Sequence, residues 1–299
     1  MTTDERNFRS SYYEKVGCFS VEEKKSLDKL LQDDIRNLAK LKHFVYTYTV
    51  PAQQRSLLWS LIMGIMPLHK SNTEYVREQR RQVYEDLLRA VTVMRCVDLD
   101  SKSRDLVLHK MWLLENNRLL HSNIRAGAQA DDNHFVEIVR TLLDIFDDEV
   151  ETYWIAKEFY QYTRDLKKEC GKLKELTQIL LKREDIGLFY LFYFSRLEKL
   201  GLFDINSKLV ENWYITCFAG VICETMLVKI WDKVCGGAKK IVVFLFLELV
   251  KDIKSLIFDL SSQEELKALI ETVKDKDGVI VNKAIKSWHS NNSEVEYAH

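Results

Sequence analysis

The chain is almost devoid of proline, since its 299 residues contain only Pro51 and Pro67 and residues 68–299 have none. Average usage, roughly 5% proline and 7% glycine, would give about fifteen and twenty residues, whereas the sequence has 2 and 10. Turn-rich β-sandwiches, collagen-like fibres and flexible linkers all depend on these two residue types. Their scarcity therefore predicts an all-α protein built of long helices.

The charge balance argues against a nucleic-acid partner. The chain has 44 basic and 45 acidic side chains, so no part of it stands out as a basic domain. Three arginines, Arg77, Arg80 and Arg81, are interleaved with glutamates. That pattern is typical of a solvated helical face, and a patch for a polyanion is the alternative.

The cysteines and the apolar segments indicate a cytoplasmic protein without a membrane span. None of the six cysteines forms a CxxC or CxxH pair, and the polar start carries no secretory signal, so reduced thiols are expected. The most apolar stretch, residues 241–250, covers about half of the roughly 20 residues that a bilayer requires.

Helical periodicity divides the chain into a polar N-terminal arm (residues 1–18), a helical domain (19–289) and a polar tail (290–299). The domain is expected to consist of two packed helical lobes, with a polar loop at 121–134 on its surface. Residues 46–50 alternate like a strand, and Asp277 and Gly278 predict a turn. Helices are predicted at about 20–41, 51–66, 71–97, 106–120, 133–146, 149–183 with an interruption near Gly171, 186–200, 206–234 and 238–258, and from 262 onward.

A search for catalytic and metal-binding motifs finds none of the common ones. Residues 236–240 resemble a phosphate loop but lack its spacing and its Ser or Thr, so a helix terminus is the better interpretation. Residues 98–109 begin like a calcium loop, but the ligands at its later positions are missing. His134 with Asp131 and Asp132 is more typical of a loop than of a metal site. No cofactor or metal is therefore expected.

Three segments, taken together, resemble the signatures of the TBC domain. The first begins at Pro51 and places Arg55 four residues before Trp59, ahead of an apolar run that ends at Gly64. The second is the acidic-then-aromatic stretch at residues 151–154. The third combines Trp213, Phe218, Lys229, Ile230, Trp231, Asp232, Lys233 and Gly236. The resemblance covers residues from about 50 to 250 and implies a single TBC-type helical domain.

The signature residues are expected to be structural. Trp59, Trp154, Trp213 and Trp231 occupy positions that the family uses for core packing, and any helical protein would bury aromatic side chains at such spacing. Arg55 and Asp232 are expected to form a semi-buried ion pair that joins distant parts of the sequence.

The resemblance also implies a link to GTPases, because TBC domains generally act as GTPase-activating proteins for Rab GTPases. The family supplies an Arg from an I-x-x-D-x-x-R motif, which neutralises charge on the transferred phosphoryl group, and a Gln from a Y-x-Q motif, which positions the attacking water. The best match to the first motif puts Ser103 at the Arg position, and a shifted register puts Ser101 there. Counting back from Trp154 puts His134 at the Gln position.

An arginine finger contributes about 10³ to 10⁵ in rate, which an uncharged serine cannot supply. The resemblance therefore implies a pseudo-GAP that lacks both finger residues. Displaced catalysis by Arg104, one residue beyond Ser103, and Gln129, five residues before His134, is the alternative.

Within the family, the chain resembles members that serve as a binding subunit of a larger complex. This resemblance implies that the chain binds the coiled coil of hamartin and, through it, tuberin, whose domain activates Rheb and restrains TOR kinase signalling. It also implies a peripheral location at lysosomes or vesicles. A Rab GTPase is a further candidate partner.

Residues 106–120 contain more apolar side chains than one buried helix face needs. We therefore expect some of them to be exposed as a docking site for a helical partner, with Met111, Trp112, Leu119 and Leu120 as candidates. Burial on several sides is the alternative.

Overall fold

The computed structural model describes residues 21–97, 103–119, 133–194, 207–257 and 276–296, together with 265, 268–270 and 272. Within these ranges the regular structure is helical, and the one departure is an isolated antiparallel bridge between Ile35 and His69. The predicted all-α class is confirmed. The helices are α1 Val21–Gln32, α2 Leu38–Thr47, α3 Ala52–Ile62, α4 Thr73–Val93, α5 Arg104–Glu115, α6 Asn133–Leu143, α7 Glu149–Glu184, α8 Ile186–Phe194, α9 Lys208–Ile215, α10 Glu224–Cys235, α11 Ile241–Asp252, α12 Lys254–Ile257 and α13 Asp277–Glu296.

Two compact units make up the chain. The N-terminal unit comprises Met1–Tyr160 and Asp232–Ala238, and the C-terminal unit comprises Gln161–Trp231 and Lys239–His299. Their number agrees with the two lobes predicted from the sequence. The N-terminal arm, most of the loop at 121–134 and the helix start at Ser262 lie outside the described residues.

The first helices of the N-terminal unit differ from the sequence prediction. A single helix was expected over 20–41, but the chain bends after α1, and Asn37 caps α2 by accepting a hydrogen bond from the Lys40 backbone N–H at 3.1 Å. The buried Arg36 stabilises this bend, since its Nε donates to the Leu31 carbonyl at 3.1 Å. The alternating pattern at residues 46–50 does not form a strand, because α2 continues to Thr47.

Apolar side chains from α1, α2 and α3 form the first core of this unit. Pro51 precedes α3 with φ −61° and so fits the start of a helix. The cluster contains Leu27, Leu31, Leu41, Phe44, Val45, Val50, Leu58, Leu61, Ile62 and Met66.

The helix α4 is exposed over most of its length. It begins after a 3₁₀ turn at Lys70–Asn72, so Ser71 lies inside that turn and is not the cap that its spacing from Glu74 predicted. Of its 21 residues, Tyr84 and Val91 are buried. Tyr84 packs edge-on against Tyr153 of α7 at 5.9 Å between ring centroids, and α4 as a whole packs against α5.

In the C-terminal unit, the helix predicted over 206–234 is divided into α9 and α10. The chain turns out of α9 because Cys217 and Phe218 adopt positive φ values of 49° and 65°. The Phe218 N–H bonds the Trp213 carbonyl at 2.8 Å, as in a Schellman motif, which satisfies an end carbonyl of the helix. By contrast, α7 is continuous through Gly171, where an interruption was expected.

The last described helix corrects two predictions. The turn predicted at Asp277 and Gly278 is instead the first turn of α13, and the buried Asp277 carboxylate accepts a hydrogen bond from the Cys223 N–H at 2.5 Å. The predicted polar tail begins at residue 290, but α13 extends to Glu296. This helix packs against α11, which buries nine of its residues. None of the helices in the described ranges is long and apolar enough to cross a membrane.

The predicted ion pair between Arg55 and Asp232 is present and buried. Arg55 Nε lies 3.0 Å from Asp232 Oδ1, and the two side chains are 8% and 1% exposed. Trp59 Nε1 donates to the same oxygen at 2.8 Å, and Arg55 Nη2 also donates to the Val50 carbonyl at 2.6 Å. The indole of Trp59 stacks on Phe159 at 6.1 Å between ring centroids. The carboxylate thus has a charged partner and a neutral donor, as a buried charge requires.

The residue that follows Asp232 ties the same segment to α2. Lys233 Nζ donates to the carbonyls of Val45 and Tyr48 at 2.8 and 2.6 Å, and so satisfies acceptors at the C-terminus of that helix. Burial lowers the pKa of Lys233 to about 8, although Asp232 opposes the shift. The backbone at Gly236 also lies close to α2, since a Cβ at this position would be 2.8 Å from a methyl carbon of Val45.

We predict that Asp232→Ala lowers the free energy of unfolding by about 3–5 kcal/mol, because it leaves the Arg55 charge buried without its partner. The measurement is chemical denaturation followed by tryptophan fluorescence. Asp86→Ala is the control, since Asp86 pairs with Arg89 at 3.7 Å on the surface and both side chains are more than 70% exposed. The control should change stability by less than about 1 kcal/mol. Equal midpoints for Asp232→Ala and wild type would contradict the prediction.

Candidate functional site

A surface cleft of about 600 Å³ lies beside the start of α5 in the N-terminal unit. Four acidic and two basic side chains line it, so charge dominates its chemistry. The lining residues are Ser103, Arg104, Asp105, Arg140, Leu143, Asp144, Phe146, Asp147 and Glu149. The cleft therefore contains Ser103, assigned to the finger position from the sequence, and Arg104, the displaced candidate.

Ser103 lies immediately before α5 and is exposed. Its side chain does not cap the helix, but its carbonyl accepts hydrogen bonds from the Leu106 and Val107 N–H groups at 3.1 and 3.3 Å. Ser103 thus contributes to the start of α5 through its backbone carbonyl. Its hydroxyl is uncharged and cannot neutralise a phosphate.

Arg104, the first residue of α5, is held by Glu149 at the start of α7. Arg104 Nε and Nη2 lie 2.7 and 2.5 Å from the two carboxylate oxygens, in a bidentate arrangement. The Tyr84 hydroxyl donates to Glu149 Oε2 at 2.8 Å. The Arg104 and Glu149 side chains are 28% and 34% exposed. Three helices, α4, α5 and α7, therefore meet at one carboxylate.

The pKa of each member is shifted in the direction that preserves the contact. The hydrogen bond from Arg104 lowers the pKa of Glu149, although partial burial opposes the change. The same hydrogen bond raises the pKa of Arg104. Burial, followed by the hydrogen bond to Glu149, raises the pKa of Tyr84. Near neutral pH the group therefore consists of a carboxylate, a guanidinium and a neutral phenol.

A second ion pair crosses the cleft from α5 to α6. Asp105 is buried, and its Oδ2 accepts hydrogen bonds from Arg140 Nη2 and Nε at 2.7 and 3.0 Å. Both arginines of the cleft are thus engaged by carboxylates. Among the described residues, no group of three or more His, Cys, Asp or Glu side chains could hold a metal ion.

The other predicted finger position, His134, is buried at the start of α6 and is not part of the cleft lining. The displaced candidate Gln129 lies outside the described residues. The structure therefore brings Ser103 and Arg104 together in the lining of the cleft and does not place His134 there.

The predicted partner-binding residues on α5 are mostly core residues. Met111 and Trp112 are 0% and 4% exposed, so they are unavailable as surface anchors and that prediction is wrong. The Trp112 ring stacks on Phe135 at 4.8 Å, and Tyr160 meets both rings edge-on. Burial on several sides thus explains the excess of apolar residues on α5. Leu119 is partly buried, and Leu120 lies outside the described residues.

The tryptophans of the family signatures are buried. Trp59 and Trp231 are 0% exposed, and Trp231 Nε1 donates to the Cys217 carbonyl at 2.9 Å. Trp154 is covered by the Arg80 guanidinium, 4.2 Å from the ring centroid. Trp213 lies in the C-terminal unit, 5.9 Å from the Phe218 ring. Their contacts are those of core residues.

Comparison with known proteins finds relatives that match nearly the whole chain. TBC1 domain family member 7 of Homo sapiens is 35% identical over 293 residues, which is 97% of this chain and 97% of the relative. The Danio rerio protein of the same name is 32% identical, with 95% of each chain covered, and that of Xenopus tropicalis is 34% identical at the same coverage.

The chain belongs to the family of TBC1 domain family member 7. Solved TBC structures agree with this membership at the level of the fold. The Ypt/Rab-GAP domain of Gyp1p matches with a TM-score of 0.56 at 14% identity, over 91% of this chain and 99% of that one. The Chlamydomonas flagellar RabGAP TBC domain matches with a TM-score of 0.51 at 15% identity, over 96% and 95%. No protein-family model matches the chain.

The sequence of this TBC protein did not reveal Glu149 and Tyr84 as members of the site. Glu149 was visible as an acidic residue at the start of a predicted helix, which the helix dipole favours. Its partner Arg104 is 45 residues away, and Tyr84 is 65 residues away. Periodicity identifies neighbours one helical turn apart, so contacts at these separations leave no pattern in the sequence.

We predict that Glu149→Gln lowers stability at neutral pH by about 1 kcal/mol, after allowance for solvent screening. The folded-state pKa of Glu149 is depressed, so its contribution is present above the unfolded pKa and is lost as the pH falls through the folded value. The difference between wild type and Glu149→Gln should therefore shrink between pH 5 and pH 3. Thermal melts across this range measure it.

Asp147→Asn is the matched control for this titration. Asp147 lines the same cleft but is not bonded to Arg104. A difference between wild type and Glu149→Gln that stays constant down to pH 3 would show that the lost contact does not depend on the carboxylate charge.

Proposed function

We propose that this chain is a non-catalytic TBC-domain subunit that binds the coiled coil of hamartin and stabilises the complex of hamartin with tuberin. In this role it would support a Rheb GAP assembly that restrains TOR signalling, in the cytoplasm and peripherally at lysosomes or vesicles. The observation that carries the non-catalytic part is the state of Arg104, whose guanidinium is bound to the Glu149 carboxylate at 2.7 and 2.5 Å. The partner rests on the family membership and on the resemblance described above.

The energetic requirement for catalysis supports a binding role. A finger that raises the rate by 10³ to 10⁵ stabilises the transition state by about 4–7 kcal/mol. To act as this finger, Arg104 would first lose two charge-assisted hydrogen bonds and leave Glu149 with the Tyr84 hydroxyl. Part of the electrostatic gain at the phosphate would be offset by this loss.

The two assigned finger positions add to this argument. Ser103 offers an exposed hydroxyl without a charge, and His134 is buried within α6. A buried imidazole cannot position a water on a GTPase that docks at the surface without local opening of the helix. If the assignments are right, neither position provides what the family's mechanism requires.

The partner is expected to contact a surface other than the apolar face of α5. Met111 and Trp112 are buried in the N-terminal unit, and Leu106 is the exposed apolar residue of that helix, at 41%. A single exposed leucine is too small an anchor for a helix-in-groove interface, which uses side chains at three- and four-residue spacing.

An active Rab GAP is the second candidate function, because Arg104 lies on the wall of an open cleft and keeps 28% of its side chain exposed. In that function Arg104 would leave Glu149 and act as a displaced finger, with Gln129 as the residue that positions the water.

We predict that the purified chain forms a complex with a coiled-coil fragment of hamartin, detectable by size-exclusion chromatography with light scattering. An unrelated parallel coiled coil of equal length should not bind, because anchors rather than helicity determine the interface. Met111→Leu, a volume-conserving core change, should bind like wild type. Absence of a complex at concentrations of tens of micromolar would reject the proposed partner.

We further predict that the chain does not accelerate GTP hydrolysis when it is tested across a panel of Rab GTPases. The assay measures release of phosphate under single-turnover conditions, with Arg104→Ala alongside wild type. Acceleration by wild type that Arg104→Ala abolishes would establish the second candidate function in place of the first.

A further inference from the structure

Glu149, rather than Arg104, determines where the contact between the two side chains forms. Glu149 is in the first turn of α7, where the helix dipole stabilises a carboxylate, and the Tyr84 hydroxyl fixes one of its oxygens. Arg104 is in the first turn of α5, where the dipole disfavours a cation. The carboxylate thus has a fixed place without the arginine, whereas the arginine depends on the carboxylate for compensation.

The geometry of the pair uses the edge of the guanidinium that recognises anions. Arg104 binds through Nε and Nη2, which face the two oxygens of Glu149 as they would face two oxygens of a phosphate. A carboxylate in this position competes directly with a phosphate for the same donors.

We propose that Glu149, positioned by Tyr84, is an autoinhibitory latch that keeps Arg104 away from the nucleotide of a docked GTPase. This inference rests on the proposed non-catalytic function and names how that state is maintained. Glu149 acts through Arg104 and is therefore a positioning residue. In the reaction that the latch prevents, water attacks the γ-phosphorus of GTP, the bond to the β–γ bridging oxygen breaks, and GDP, inorganic phosphate and a proton are released.

The first test measures the latch itself, without a GTPase. Phenylglyoxal modifies accessible arginines, and mass spectrometry reports the rate at each site. Arg104 should react at least about tenfold more slowly than Arg89, because the charged hydrogen bonds favour the paired state, whereas the Arg89 side chain is 73% exposed. Glu149→Ala should raise the Arg104 rate toward that of Arg89, and Asp147→Ala should leave it unchanged.

The second test measures whether GTP hydrolysis is accelerated when Arg104 is released from Glu149. Glu149→Ala should accelerate GTP hydrolysis on at least one Rab of the panel, and the double variant Glu149→Ala with Arg104→Ala should lose this gain. Asp147→Ala removes a negative charge from the same cleft without touching Arg104, so it separates release of the arginine from a general change of potential. Thermal melts show that each variant remains folded.

The outcomes distinguish the latch from the proposed function. Wild-type acceleration of hydrolysis would overturn the non-catalytic function and the latch together. A silent wild type that binds the hamartin fragment, with Glu149→Ala equally silent, would overturn the latch alone. A wild-type Arg104 that reacts with phenylglyoxal as fast as Arg89, or a gain that persists in the double variant, would also overturn it.

Discussion

The N-terminal unit depends on one buried carboxylate. Asp232 is 1% exposed and binds Arg55 and Trp59 of α3, which lie more than 170 residues earlier in the chain. A charge in this position is stable only while its partners are in place, so α3 and residues 232–238 must assemble together. Lys233 extends the same assembly to α2 through two carbonyls at the end of that helix. A short segment late in the sequence thereby joins α2 and α3.

This dependence explains why the sequence was informative about the long-range arrangement. An arginine and a tryptophan four residues apart lie on one helix face, and both donate to the same acceptor. The resemblance to TBC domains supplied that acceptor, since periodicity alone could not have linked residues 55 and 232. The helices themselves were predictable because each carries an apolar face. In α11 the signal is instead an unbroken apolar run, and nine of its twelve residues are buried.

The sequence predictions fail at helix boundaries that lack the residues ordinarily found there, or that carry turn residues inside a helix. Cys217 and Phe218 turn the chain with positive φ, a conformation for which glycine is the ordinary signal. Conversely, Asp277 and Gly278 have the sequence of a turn but begin α13. The Asp277 carboxylate accepts a hydrogen bond from the Cys223 N–H there. Both places carry a tertiary hydrogen bond, from Trp231 Nε1 to the Cys217 carbonyl in the first and from the Cys223 N–H to Asp277 in the second, and a single sequence does not contain that information.

The sequence likewise does not show the tertiary contacts of the candidate site, and these contacts bear on function. The sequence offered Arg104 as a displaced finger because its charge and its place beside Ser103 suited that role. Whether a guanidinium can act on a phosphate depends on what else it binds, and here the competing anion comes from another helix at 2.5 Å. An arginine in a bidentate pair is a structural residue until the carboxylate is removed. The distinction between a GTPase activator and a binding module of the same fold can therefore lie in the partner of an arginine, even where the arginine itself is present.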